Sequence, residues 1–330
     1  MKTSMNSPVR PENSPQTHLD FEGKSRAFTL VELLVVVGTL AVLALLLVPA
    51  LAGTKTDSWR TQCQNNLKQL QVGFSLFVQD HNEMFPPAGY QASSGMLTWD
   101  AYIHHYFGDT NSDSTWTQGV PWAGSSPTME TIELCPADRQ PRVIWMYGPG
   151  NILQFAPRTY AMVACGGEAD YGTLVQVDPR LGLPNINNPD FLGVGIYWAS
   201  TVSTPDWDAQ GYKTSVVKDP GGTILLTEQA SSMNAIGNIW PCVSLGPITT
   251  DGTAGGWGNL YQIDTAAPQN PATLTQNGYN EGQQLYQAHW NRFNYLFHDG
   301  HVEALQYTQT VGTTKFVNKP KGMWTVVPGD

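Results

Sequence analysis

The hydrophobic and polar positions of this chain fall into four successive regimes. Residues 1–27 are polar and carry charges of both signs. From Phe28 to Ala52 the chain is apolar, with no charge between Leu33 and Val48 and one carboxylate, Glu32, near the start. A spanning helix needs roughly 20 apolar residues, so the pattern predicts a membrane segment over 28–52. Lys24 and Arg26 precede it and place the N-terminus in the cytoplasm. Beyond residue 53 the pattern becomes periodic. Trp59, Cys63, Leu67, Leu70, Phe74 and Phe77 recur at steps of three and four, a single helical stripe. Gln62, Asn65, Lys68 and Gln69 fill the other faces, and the helix is expected to stop near Gln79, ahead of Pro86-Pro87.

The fourth regime, residues 83–330, lacks long helical periodicity. Short apolar segments alternate with Gly, Pro, Asn and Asp. Strands are expected at Val143–Tyr147, Thr173–Val177, Gly195–Trp198 and Thr223–Thr227, with two more near the end. The last two flank Asp299-Gly300, a dipeptide suited to a two-residue type I′ turn, so residues 289–305 should end in a β-hairpin.

Composition narrows the picture. The 330 residues carry a net charge of −10, which argues against nucleic acid as a partner. With 32 Gly, 23 Pro and 11 Trp, the chain reads as a loop-rich, aromatic-rich domain rather than a disordered one. Its four cysteines, Cys63, Cys135, Cys165 and Cys242, form no CxxC pair. Outside the cytoplasm they allow two disulfides in three connectivities.

The run Ala27-Phe28-Thr29-Leu30-Val31-Glu32 competes with an ordinary secretory signal, for which Val48-Pro49-Ala50-Leu51-Ala52 offers a small-residue cleavage site. Its sequence resembles the type IV prepilin signature: a leader ending in a small residue, then Phe-Thr-Leu-x-Glu, then a long apolar run. The family usually has Gly before the cut, where this chain has Ala27. The resemblance implies cleavage between Ala27 and Phe28 and N-methylation of Phe28 by a prepilin peptidase and methyltransferase. It also implies that Glu32 pairs with the N-terminal ammonium of a neighbouring pilin-like subunit. The plainer role for Glu32 is a carboxylate at the positive end of a helix dipole. Cys63 with Asn65-Asn66-Leu67-Lys68-Gln69, Leu134-Cys135-Pro136 and Thr159-Tyr160-Ala161-Met162 look like a subfamily of these proteins. On that resemblance Cys63 pairs with Cys135, leaving Cys165 for Cys242. His289, separated from Asp299-Gly300 by nine residues, is similar to the H-x9-DG element of prepilin-like proteins.

Two metal readings accompany these motifs. His298 and His301 should face each other across the hairpin and, with Asp299, form a candidate divalent set. The simpler expectation gives Asp299 a turn role and makes His289 a latch bonded to the hairpin backbone. Asp109-Thr110-Asn111-Ser112-Asp113 starts like a calcium loop, but Ser114 and Val120 stand where the loop needs Gly and Glu. A lone Glu228 at a strand end is expected to be a surface or hydrogen-bonded residue. GxSxG, HExxH and phosphate-cradling glycine motifs are absent from the sequence, so no enzyme and no cofactor are expected.

The resulting expectation is an α+β, pilin-like chain. It has a leader (1–27), a helix with a membrane half (28–52) and an amphipathic half (53–82), and an extracytoplasmic β-rich domain (83–330). Its expected function is a structural subunit of a type II secretion-like or type IV pilus-like filament, anchored by a single pass in the cytoplasmic membrane and its lipid bilayer. The alternative is a membrane-tethered binding module, for carbohydrate by aromatic stacking, that does not polymerise.

Overall fold

The computed structural model describes residues 28–92, 94–109, 111–118, 132–139, 156–163, 193–199, 204–209, 211–231, 234–237, 242–249, 261–264, 281–313 and 321–329. The chain divides into two compact units, residues 1–51 and 52–330. Helix α1 runs Leu30–Asp80. In the first unit Thr29 caps it: the Thr29 hydroxyl accepts from the Glu32 amide, and Glu32 Oε2 accepts from the Thr29 amide (2.9 Å) and hydroxyl (2.8 Å). This reciprocal pair is a capping box, which satisfies donors that a helix start leaves open.

The expected pilin-like architecture, with a membrane half continuous with an amphipathic half, requires correction. Among the described residues, no helix is long and apolar enough to cross a membrane. Glu32 interrupts the apolar run at one end. The polar Thr54-Lys55-Thr56-Asp57 end it on the other side, while α1 itself continues.

In the second unit the stripe of Cys63, Leu67, Leu70, Phe74 and Phe77 is buried. Phe74 stacks on Trp99 at 5.5 Å between ring centroids. The helix ends in a Schellman-type turn. Asn82 takes a left-handed φ of 53°, and the Glu83 amide donates to the Val78 carbonyl at 3.0 Å. Asparagine tolerates this conformation because its short polar side chain can bond locally.

The body is α+β with mixed sheets. A three-stranded sheet contains β1 (Gly89–Gln91), β2 (Met96–Thr98) and β4 (Tyr197–Ala199), with β1 antiparallel to β2 and parallel to β4. Helix α2 (Trp99–Ile103), a 3-10 turn (His104–Phe107) and α3 (Asp113–Gln118) follow β2. The main sheet has the order β10-β9-β5-β3-β6. Its strands are β3 (Tyr160–Val163), β5 (Ile224–Glu228), β6 (Val243–Ser244), β9 (Phe293–Phe297) and β10 (Val302–Leu305). Only β3 and β6 pair in parallel there. A further parallel pair joins β7 (Gly246–Thr249) to β8 (Tyr261–Asp264), and helix α4 (Glu281–Ala288) leads into β9.

Strands β3, β5 and β9 of the main sheet are buried on both faces. Leu225, Leu226, Tyr160 and Leu296 share a core with the α1 stripe, while Ile224, Phe293, Tyr295 and Phe297 form a second core with Trp324. Burial on both sides explains why Ile224-Leu225-Leu226 is a continuous apolar run without alternation. The expected strands at 143–147 and 173–177 lie outside the described residues.

The hairpin joins β9 to β10 antiparallel, with Leu296 opposite Val302. Its turn differs from the expected one. The Gly300 amide donates to the Phe297 carbonyl at 3.0 Å, so His298 and Asp299 are the central residues. Gly300 alone in the turn has positive φ, at 93°. This is a three-residue connection closed by a glycine bulge, a position that favours a residue without Cβ.

Candidate functional site

Two histidine clusters concentrate the polar chemistry of the body. The first is enclosed. Cys63, on the buried stripe of α1, forms a disulfide with Cys135, 72 residues later. The Cys135 segment is fixed by two further bonds. The Cys135 amide donates to the Thr159 hydroxyl at 3.0 Å, and the Asn66 side chain donates to the Leu134 carbonyl at 3.0 Å. His289 follows α4, where left-handed Trp290 and Asn291 redirect the chain into β9. Its Nε2 lies 3.6 Å from Cys63 Sγ and 3.5 Å from Cys135 Sγ.

The other ring nitrogen, Nδ1, donates to Glu228 Oε2 at 3.0 Å, because a carboxylate can only accept. Glu228 ends β5 and also receives the Asn294 backbone amide (2.8 Å) and side-chain amide (2.9 Å). Cys63, Cys135, Glu228, His289 and Asn294 are all buried. His289 therefore does not bond the hairpin backbone itself; Glu228 makes that bond and holds the imidazole with its other contact. With the sulfurs joined to each other, they are not thiolate ligands. The cluster ties α1, the 132–139 segment, β5 and the hairpin strand together. Burial pushes the pKa of the Cys242 thiol up to about 12, and its expected partner Cys165 lies outside the described residues.

The same segment buries a second carboxylate. Among the described residues neither oxygen of Glu133 has a hydrogen-bond partner, and burial, reinforced by Asp100, raises its pKa well above the ordinary value despite Arg158 nearby. Arg158 itself is buried and donates to Asp100 Oδ2 and Asn234 Oδ1, each at 2.8 Å.

The second cluster opens to solvent. His104 begins the 3-10 turn and is buried, with its ring 4.7 Å from that of Trp116. Nδ1 of His104 lies 3.0 Å from Asp109 Oδ2. Asp109 is itself held. Its Oδ2 accepts from Trp116 Nε1 at 2.6 Å, and its Oδ1 accepts from the Asn111 amide and side chain at 3.1 and 3.0 Å. The remaining nitrogen, His104 Nε2, is buried, has no hydrogen-bond partner among the described residues and lies 3.9 Å from Asp113 Oδ1. His105 Nε2 lies 3.3 Å from the same oxygen. Burial lowers the His104 pKa to about 4, assisted by His105 and opposed by Asp109 and Asp113, so its ring is neutral at pH 7.

The other expected site residues are distributed as follows. Ala27 lies outside the described residues, and Phe28 and Glu32 are exposed in the first unit. His298 is buried edge-on to Phe85 at 4.8 Å, and burial lowers its pKa to about 3. His301 instead bonds Asp299 at 2.6 Å and stacks on Phe297 at 4.2 Å. These two histidines therefore have separate surroundings, and neither joins a group of potential metal ligands among the described residues. Asp109 and Asp113 take part in the His104 cluster; α3 starts at Asp113, ending any alternation of loop oxygens.

Sequence reading passed over His104-His105 and the Glu228–His289 bond. A signal for the former existed: adjacent histidines stand five and four residues ahead of Asp109. For the latter there was none, since the partners are 61 residues apart. No family model matches the chain, and neither does any curated protein or solved structure.

Proposed function

We propose that this protein is a structural subunit of an extracytoplasmic filament of the prepilin-processed kind. It is cut between Ala27 and Phe28, methylated at Phe28, and joined to neighbouring copies through residues 28–45. The observation that carries this reading is the surface of those residues. Twelve of the sixteen exposed large hydrophobic side chains of the described residues lie between Phe28 and Leu45. Leu33, Leu34, Val35, Val36 and Val37 are consecutive and all exposed, so the apolar surface surrounds the helix. An apolar surface of this extent marks an interaction site.

Glu32 stands on that surface, satisfied in the single chain by Thr29. Burial against a neighbour's helix would strip water from the carboxylate, and a cation supplied by that neighbour offsets the cost. The free ammonium of a processed Phe28 is such a cation. The Cys63–Cys135 disulfide supports an oxidising, extracytoplasmic location for the body.

The test combines processing and assembly. Intact-mass analysis should give a chain beginning at Phe28 and carrying one methyl group. Glu32→Ala should reduce incorporation into sedimentable filaments at least tenfold while the Cys63–Cys135 bond still forms. A chain that retains Met1, or a Glu32→Ala protein that assembles like the wild type, overturns the reading.

A further inference from the structure

We propose that His104, His105 and Asp113 form a binding site for a divalent transition-metal ion such as zinc, with Asp109 as the residue that positions His104. Metal binding there is independent of the proposed assembly function.

The argument starts from the free nitrogen of His104. Asp109 takes up Nδ1–H, so Nε2 carries a lone pair. This atom is buried and unpartnered among the described residues. It is directed at the space shared with His105 Nε2 and Asp113 Oδ1. Buried polar atoms are generally satisfied, and an orphan of this kind calls for a partner. A metal ion accepts a lone pair without needing a proton, which suits an atom that can only donate electrons.

The distances agree with this assignment. The ligand atoms of His104, His105 and Asp113 all lie within 4.8 Å of one another. Asp113 Oδ1 is 3.3 Å from His105 Nε2 and 3.9 Å from His104 Nε2. Tetrahedral zinc, with bonds of about 2.0–2.1 Å, spaces its ligand atoms about 3.4 Å apart. Small rotations of the exposed His105 and Asp113 side chains close the remainder.

The surroundings match what a metal-binding imidazole requires. A ligating histidine almost always donates its second N–H to a carboxylate, a carbonyl or water, which fixes the tautomer and the ring plane. Asp109 does this, and Trp116 and Asn111 hold Asp109 in turn. The His104 ring also lies 3.8 Å from that of His105 and 4.7 Å from that of Trp116. The anchor is therefore set before any ion arrives. Two imidazoles and one carboxylate suit zinc, cobalt, nickel or copper, whereas calcium and magnesium prefer oxygen-only sets. His105 and Asp113 remain 60% and 57% exposed, which gives an entry path and leaves further coordination positions to solvent.

The competing reading is a plain surface ion pair between His105 and Asp113, with His104 as a core residue. The two separate in a zinc titration of the full-length chain, stripped with chelator and kept oxidised so that Cys63 and Cys135 remain joined. Calorimetry should show one saturable zinc equivalent, and cobalt should give visible absorption of a nitrogen- and oxygen-ligated centre. His105→Ala and Asp113→Asn, both at exposed positions, should each weaken zinc binding at least tenfold with unchanged circular dichroism. Asp109→Asn should weaken it by about 10–100-fold, the usual effect of losing such a positioning carboxylate. His301→Ala should leave it unchanged. The proposal is overturned by absence of saturable zinc binding to the wild type, or by wild-type affinity in both His105→Ala and Asp113→Asn.

Discussion

The two histidine clusters are built from one device and put to opposite use. In each, a carboxylate bonds to the Nδ1 of a buried imidazole and is itself held by neighbouring N–H groups. Around His289 the second nitrogen faces a closed disulfide, and four separate chain segments meet there. Around His104 the second nitrogen faces two exposed side chains and has no hydrogen-bond partner among the described residues. The first arrangement is closed and can only hold the fold. The second has an acceptor left over and a route to solvent. A carboxylate–imidazole pair is therefore not informative alone; what its far nitrogen meets decides its role.

The largest expected effect comes from opening the closed cluster. Replacing both Cys63 and Cys135 by Ser releases a loop of 72 residues, which in the chain-entropy account costs about 4 kcal/mol. Urea unfolding of the oxidised wild type and the double variant measures it. A loss below about 1 kcal/mol would mean that the His289–Glu228–Asn294 bonds hold the segments without the disulfide.

The carboxylates provide the direct comparison. Glu228→Ala leaves buried N–H groups on His289 and Asn294 unpaired, at a cost of about 3 kcal/mol or more. Asp109→Ala orphans His104 Nδ1 and Trp116 Nε1, at about 2 kcal/mol. Equal losses in denaturant unfolding would remove the distinction drawn between the closed and open clusters.

Glu133 sharpens the comparison through pH. Its folded pKa is raised from an ordinary value near 4.5, so the native state binds a proton more tightly than the unfolded chain. The associated stability is fully present below pH 4.5 and declines as pH rises toward the folded value. Glu133→Gln, which carries no proton to lose, should remove that decline and be the more stable protein at neutral pH. Unfolding midpoints measured from pH 4 to pH 8 check the sign.

The smallest stability effect is expected at the open cluster. His105→Ala removes an exposed ring and should change stability by less than about 0.5 kcal/mol. A thermal midpoint close to that of the wild type, together with lost zinc binding, would separate the two clusters by role.

Much of the body's local structure was legible in the sequence. The spacing of Cys63, Leu67, Leu70, Phe74 and Phe77 marks the positions that are buried, because a helical stripe reports which side faces a core. The hairpin around Asp299-Gly300 was legible from its flanking apolar runs, although its turn type was not. Choosing between two- and three-residue connections depends on the register fixed by β5, against which β9 pairs. The membrane half read from residues 28–52 did not carry over: among the described residues no helix is long and apolar enough to cross a membrane. The open cluster lay within ten residues of sequence and was still missed. Periodicity does not say that a 3-10 turn puts neighbouring histidines on one shared carboxylate.

By itself the sequence determined the apolar segment with its single carboxylate, the buried stripe and the hairpin, all of which depend on neighbours within a few residues. Only the tertiary structure decided what those elements hold together. Cys63 meets His289 across 226 residues, Cys135 meets it across 154, and Glu228 reaches it from a strand between them. Such contacts depend on closing long loops around a packed core, where burial selects one arrangement of side chains from many that the local pattern allows.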